Sequence, residues 1–274
     1  MLETLGADAK VIAGGQSLVP AMNLRLASPP ALVDLSAVQA LKSLSLDGSG
    51  NLRAGAMVTH ARMLHETSVT GAWSLLSLVL PYVAHEAIRN RGTIGGSLSH
   101  ADPAAEWPAL CLMLDASVRV ESARGSRTVP AQDFTLGVYE TALEPGEIVT
   151  EIVFPMHSHS ARFGFHEISR RRGDFAMAGA MVRIELDAHQ RLEELRLVAF
   201  AVEDRPRRLD GDLSMFIGNC VDEAAIENIA LAAAATVDPR ADLHASSELR
   251  VNLIYACVQQ ALRSAMQTLP SSHP

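Results

Sequence analysis

Two glycine pairs, each set in a polar turn, are the residues of this chain best placed to do chemistry. The first is Ala13-Gly14-Gly15-Gln16-Ser17-Leu18, directly after the apolar pair Val11-Ile12. The second is Thr93-Ile94-Gly95-Gly96-Ser97, directly after Arg89-Asn90-Arg91. Glycine permits a positive φ and lets another molecule approach its amide closely. A strand, a glycine turn and a helix in succession leave free amides around a concavity, where successive N–H groups make an anion nest. The helix N-terminus adds partial positive charge. A phosphate suits such a place, and two such turns suit the two phosphates of a dinucleotide. Each turn alone has a second reading: a tight strand-to-helix connection for the first, a solvated surface loop for the second. The dinucleotide fingerprint Gly-x-Gly-x-x-Gly and the Gly-Lys-Ser/Thr phosphate loop are both missing.

The second turn has further polar neighbours. Arg89 and Arg91 precede it, and His100, Asp102 and Glu106 follow. A carboxylate there accepts hydrogen bonds from ligand hydroxyls. His100 beside Asp102 is compatible with acid–base chemistry, but reads better as packing beside a ligand. His60 and His65 are five apart, a poor match to the three- or four-residue spacing of one helix face, so no metal site is assigned. Arg170-Arg171-Arg172 fits phosphate binding or a solvated, subunit-facing charge run.

The elements that must position these residues follow from pattern. Ala9–Ile12 and Ala31–Leu35 read as strands, and Leu18–Leu26 between them as a helix stopped by Pro29-Pro30. Asp47-Gly48-Ser49-Gly50 is a hairpin signal between Leu44–Leu46 and Leu52–Ala54. These residues form a small α/β unit of roughly 55 residues. Thr59 caps a helix through His65. Leu75–Ile88 reads as largely helical, broken at Pro81, and Pro103–Leu114 as a helix made irregular by Pro108. Val118–Glu121 and Ile148–Phe154 read as strands. The polar run His157–Ser160 marks a domain boundary. Beyond it come strands at Phe163–Ile168, Met181–Leu186 and Leu195–Val202, then helices at Asp222–Ala235 and Ser247–Met266.

Composition narrows the class. The chain has 274 residues, 48% hydrophobic and 20% charged, which suits two compact domains. A net charge of −8 argues against a nucleic-acid partner, which needs a basic face. No apolar run reaches the roughly 20 residues of a membrane span, and Met1-Leu2-Glu3 does not open a signal peptide. Cys111, Cys220 and Cys257 are far apart, without a Cys-x-x-Cys. They read as buried small hydrophobes in a reducing cytoplasm, not as cluster ligands.

Three segments carry a family resemblance: Val11–Pro20, Arg89–Ser97 and Ala101-Asp102-Pro103-Ala104-Ala105-Glu106. Together they resemble the FAD-binding medium subunit of the molybdenum hydroxylases, the xanthine, aldehyde and carbon monoxide dehydrogenase family. Arg170-Arg171-Arg172-Gly173-Asp174-Phe175-Ala176 resembles the signature of that subunit's C-terminal domain. The resemblance implies an α+β protein. Its FAD-binding domain of the PCMH type, 1–157, has two α/β subdomains (about 1–55 and 56–157). A C-terminal domain, 161–270, with a three-stranded antiparallel sheet and helices, follows. It implies FAD as cofactor, with Ala13–Leu18 around the pyrophosphate and Thr93–Ser97 on the pyrophosphate and ribityl region. Glu106 stands where the family has an acid, often Asp, on the ribityl hydroxyls, with Asp102 nearby. His166 and Asp174 lie in the segment approaching the isoalloxazine. Relatives begin with an extra strand and most of a helix before the position of Ala9, so an abbreviated first subdomain with an exposed sheet edge is expected.

The implied function is an electron-transfer subunit of a cytoplasmic heterotrimer. Its partners are a molybdopterin-binding large subunit and an iron–sulfur small subunit, and an external acceptor takes electrons from the flavin. No acid, base or nucleophile of this chain is required for electron entry. Two alternatives stand beside it: a flavin-free assembly subunit of the same complex, and a standalone FAD oxidoreductase related to the muramate-synthesis reductase.

Overall fold

A computed structural model describes residue 4, residues 8–66 and residues 73–267. Of the residues before Ala9, on which the expectation of an abbreviated first subdomain bears, only Thr4 and Asp8 are described.

The first unit is a strand–helix–strand crossover. β1 (Lys10–Ile12) and β2 (Leu32–Asp34) pair in parallel, Val11 opposite Val33, through α1 (Leu18–Asn23). The helix ends three residues earlier than its pattern predicts. Arg25 takes a φ of 58°, and the Leu26 amide folds back onto the Ala21 carbonyl, so the chain turns before Pro29-Pro30. This unit has only a small core of its own, Leu35, Leu41 and Met57.

The hairpin β3 (Leu44–Leu46) and β4 (Leu52–Gly55) forms as its turn residues dictate. The Asp47 carboxylate accepts from the amides of Ser49 and Asn51 at 2.9 and 3.0 Å. β4 also pairs with β9 (Ile148–Phe154), so the hairpin is built into the sheet of the second unit. That sheet runs β3-β4-β9-β5-β6, with β5 at Ser117–Ser122 and β6 at Gly125–Pro130. β6, polar and mostly exposed, carries no apolar alternation by which sequence would reveal it. A polar trough of about 620 Å³ on this sheet is lined by Asp47, Arg53, Arg119, Arg127 and Glu151. It holds none of the expected site residues, and its arginines pair with Glu151, Glu121 and Glu147.

Between β4 and β5 run α2 (His60–His65), α3 (Ser74–Val79), α4 (Glu86–Arg89), α5 (Ile94–His100) and α6 (Glu106–Met113). Thr59 caps α2, its hydroxyl accepting from the Arg62 amide at 3.2 Å. The expected helix over Leu75–Ile88 is two short ones. Between them Pro81 leaves the helix and Ala84 sits at a φ of 50°. Pro108 does not disturb α6: it occupies the first turn, where its missing N–H would have no partner. α7 (Ala131–Phe134) leads to a two-stranded hairpin, β7 (Thr135–Gly137) and β8 (Glu140–Thr141).

The C-terminal sheet is antiparallel in the order β10-β11-β12-β13. Its long strands are β10 (Arg162–Ser169), β11 (Ala176–Leu186) and β12 (Leu192–Phe200); β13 is only Arg207–Arg208. α8 (Glu223–Thr236), capped by Asp222, and α9 (Ser247–Gln267) cover one face through Ala178, Val182 and Ile184. The other face, with Phe163, Phe165 and Met181, joins the core of the first domain around Trp107 and Leu110. α6 is buried along its whole length between the two domains, so apolar burial fixes the position of its first residue, Glu106. Cys220 is exposed, contrary to the expectation for all three cysteines; Cys111 and Cys257 are buried. No helix among the described residues is long and apolar enough to cross a membrane.

Candidate functional site

The two glycine turns touch. A side chain on Gly14 would run into the carbonyl oxygen of Arg91 and stand 2.8 Å from Gly92 Cα. One on Gly96 would stand 3.4 Å from Ala13 Cβ. Glycine is therefore needed at Gly14 for close approach between the turns, while Gly15 is needed for its φ of +73°.

The first turn keeps its donors free. Among the described residues, no backbone acceptor takes the amides of Gly14, Gly15, Gln16, Ser17 or Leu18. Gln16 Nε2 donates to the Gly14 carbonyl at 3.1 Å, which holds the turn closed. Ser17 stands at the helix cap position without a capping bond, its side chain exposed.

The second turn differs from the sequence expectation. It is the first turn of α5, and its amides are already used. Ile94 and Gly95 donate to the Val58 and Ala56 carbonyls at 3.1 and 2.9 Å. Gly96 donates to Thr93 Oγ1 at 3.1 Å and Ser97 to the Thr93 carbonyl at 3.0 Å. Gly95 lacks a side chain because one would stand 2.5 Å from Ala56 Cβ. Its role is docking α5 on the end of β4. This wall therefore offers side chains in place of amides: the half-buried Ser97 and the exposed Arg91. Arg89 is spent elsewhere, donating to the carbonyls of Pro81, Val83 and Ala84.

At the far end of α5, Ala101 takes a φ of 51° and its carbonyl accepts from the amide of Tyr139 at 3.0 Å. Tyr139 itself has a φ of 57°, is 61% exposed, donates its hydroxyl to Asp102 at 3.2 Å and lies 4.9 Å from the His100 ring. Asp102 also accepts from the Ala104 amide at 2.9 Å, so both its oxygens have partners. Burial lowers the pKa of His100, against the opposing pull of Asp102. Tyr139 carries no sequence signal, because its hairpin is too short to register as alternating strands.

Glu106 is buried, and that burial, helped by Asp102, pushes its pKa up to about 7. Sequence reasoning missed its neighbour Glu167. Glu167 lies opposite Gly179 in the β10–β11 ladder and shares the strand face of Phe163 and Phe165, which packs on the first domain. Burial, and next Glu106, push its pKa up to about 8.

His166 stands one residue over, on the face of Gly164, where α9 packs. It is half-buried, and burial lowers its pKa. Asp174 lies 3.8 Å from His85 Nε2, and Arg172 covers the Tyr82 ring at 5.1 Å. The Arg-Gly-Asp segment thus packs on the α3–α4 region. Among the described residues, no hydrogen bond or ion pair joins His166 or Asp174 to either glycine turn.

The family described as "FAD binding domain in molybdopterin dehydrogenase" matches residues 1–157. The chain belongs to that family. The "CO dehydrogenase flavoprotein C-terminal domain" matches residues 163–265. Relatives of this flavoprotein include the 6-hydroxypseudooxynicotine dehydrogenase complex subunit alpha of Paenarthrobacter nicotinovorans, 34% identical over 95% of this chain and 88% of the relative. Quinoline 2-oxidoreductase from Pseudomonas putida 86 superposes with a TM-score of 0.92 at 38% identity, covering 97% of this chain and 93% of that one. Carbon monoxide dehydrogenase from Hydrogenophaga pseudoflava gives 0.91 at 32%, covering 97% and 92%. The protein is an FAD-binding medium subunit of the molybdenum hydroxylase family, and its relatives are oxidoreductases.

Proposed function

We propose that this flavoprotein is the electron-relay subunit of a cytoplasmic heterotrimer with a molybdopterin-binding large subunit and an iron–sulfur small subunit. The supporting observation is the joint between the glycine turns: the first turn's amides have no backbone acceptor among the described residues, Gly14 abuts the Arg91 carbonyl, and the second turn carries Ser97 and Arg91. Such a cradle fits a pyrophosphate. FAD held there would supply the redox chemistry that links the clusters to an external acceptor.

The chain's own residues bind and orient. Amides of Gly14–Leu18 hold phosphate oxygens, Ser97 and Thr93 donate hydroxyls, and Arg91 balances charge. Glu106 receives the ribityl hydroxyls, with Asp102 fixing the turn before it. Asp174 and His166 belong to the C-terminal segment that meets the isoalloxazine. Residues 1–157 are the FAD-binding domain and 161–270 the C-terminal domain. The chain isolated from its own cells through an affinity tag is expected to bring molybdenum and iron with it, read by elemental analysis. A chain that returns with neither metal contradicts the assembly.

A further inference from the structure

Glu167 is an anomaly that the flavin-binding role leaves unused. It is 7% exposed. Neither carboxylate oxygen has a hydrogen-bond partner or measurable access to solvent. A buried polar group in that condition calls for a reason, and an ionised one without a counter-charge is too costly to keep. The groups that bear on it are acids. Glu106, at the start of α6, adds to its raised pKa, and Asp102 adds to that of Glu106. The thiol of Cys257, in the core under α9 on the opposite face of the sheet, is held neutral by burial, with Glu167 adding to the effect. Burial also keeps the adjacent His166 from charging readily. No cation among the described residues contributes to the raised pKa of either glutamate. The two glutamates come from different domains, one at the head of a helix buried on all sides, the other on the sheet face packed against it.

We propose that Glu106 and Glu167 form a coupled acid pair across the domain seam, and that seating the flavin's hydroxylated chain in the cleft discharges one proton from it. The inference rests on the reading of Glu106 as the acceptor of ribityl hydroxyls. Without flavin, both acids hold their protons in acidic solution. Hydroxyl donors favour the ionised form of the group they bond. Glu106 therefore gives up its proton to solvent on binding, while Glu167 stays neutral. Its neutrality keeps the seam from carrying two buried negative charges. Glu167 takes no part in the release: the charge on Glu106 raises the pKa of Glu167 and so holds it neutral.

Linkage fixes the sign. Glu106 has a raised pKa in the empty protein, so binding that ionises it must expel a proton wherever that acid is protonated, below about pH 7. FAD affinity then falls about tenfold for each pH unit below that point. The test is calorimetric titration of the flavin-free chain with FAD, in buffers of different ionisation enthalpy. It is combined with infrared spectra of the same chain across neutral pH. Expected are proton release on binding and two titrating protonated-carboxyl C=O stretches in the empty protein. Glu106→Gln abolishes the release and flattens the pH dependence. Glu167→Gln keeps the release and removes the carboxyl stretch that titrates at the higher pH. A wild-type chain with no protonated carboxyl at neutral pH overturns the proposal whatever the variants do, and so does release that survives Glu106→Gln. A chain that binds no FAD defeats the reading of the cleft instead, and the infrared titration still decides whether the pair exists.

Discussion

Replacing Gly14 by alanine weakens FAD binding by about a hundredfold, or ~2.7 kcal/mol. The new methyl falls on the Arg91 carbonyl and Gly92 Cα, both backbone, which cannot swing aside as a side chain can. The first turn must back away from the second, and the amides of Gly14–Leu18 no longer converge with Ser97 on one ligand. The same clash costs folding stability, by about 1–3 kcal/mol for overpacking of this kind. Affinity is therefore measured well below the melting temperature. Gly48→Ala is the control, because nothing lies within 4 Å of a side chain there. It is expected to change neither property. Equal FAD affinity in Gly14→Ala and wild type would mean that the two turns do not share a ligand.

Arg250→Met has the largest expected effect on stability. Arg250 is 6% exposed and reaches from α9 across the sheet. It donates to the Met177 carbonyl at 2.6 Å, to the Ala201 carbonyl, and to Asp242 at 2.6 Å. Ala201 sits at a φ of 64°, and its own amide donates to the Pro103 carbonyl at 3.0 Å. The arginine thus pins a strained residue that in turn holds the loop carrying Asp102 and Glu106. Methionine fills much of the space but leaves the two carbonyls without donors. Each such buried acceptor costs about 1–3 kcal/mol, so urea unfolding is expected to show a loss of roughly 3 kcal/mol. FAD affinity falls too, because Pro103 loses its support. A stability change within about 0.5 kcal/mol, the range of an ordinary surface substitution, would contradict this role.

The fold was readable where local chemistry decides it. Asp47-Gly48-Ser49-Gly50 could only be a turn, Thr59 and Asp222 announced their helices, and the long strands of the C-terminal domain carry the near-continuous apolar runs of a sheet packed on both faces. It was unreadable where tertiary contacts decide. β6 has no apolar pattern because it is an edge. α1 ends early because Arg25 adopts a left-handed turn that no rule places there. The β3–β4 hairpin joins β9, a hundred residues on, through pairing that only the folded chain reveals.

The site divides the same way. Both glycine turns stood out, but three different reasons for glycine did not. Gly15 serves a positive φ, Gly14 the approach of the second turn, and Gly95 the docking of α5 on Ala56. The free amides expected on both walls belong to the first alone. Glu106 was visible through its motif. Glu167 was passed over, although alternation places it on the face of Phe163 and Phe165; that this face packs on the other domain is a tertiary fact.

The most direct test is equilibrium binding of FAD to the purified chain, followed by the flavin absorption band, with ultrafiltration to count bound ligand. The account predicts one FAD per chain, displaced by ADP, which carries the same pyrophosphate. A chain that takes up no FAD, or that binds it without competition from ADP, would contradict the joined glycine turns as its cradle.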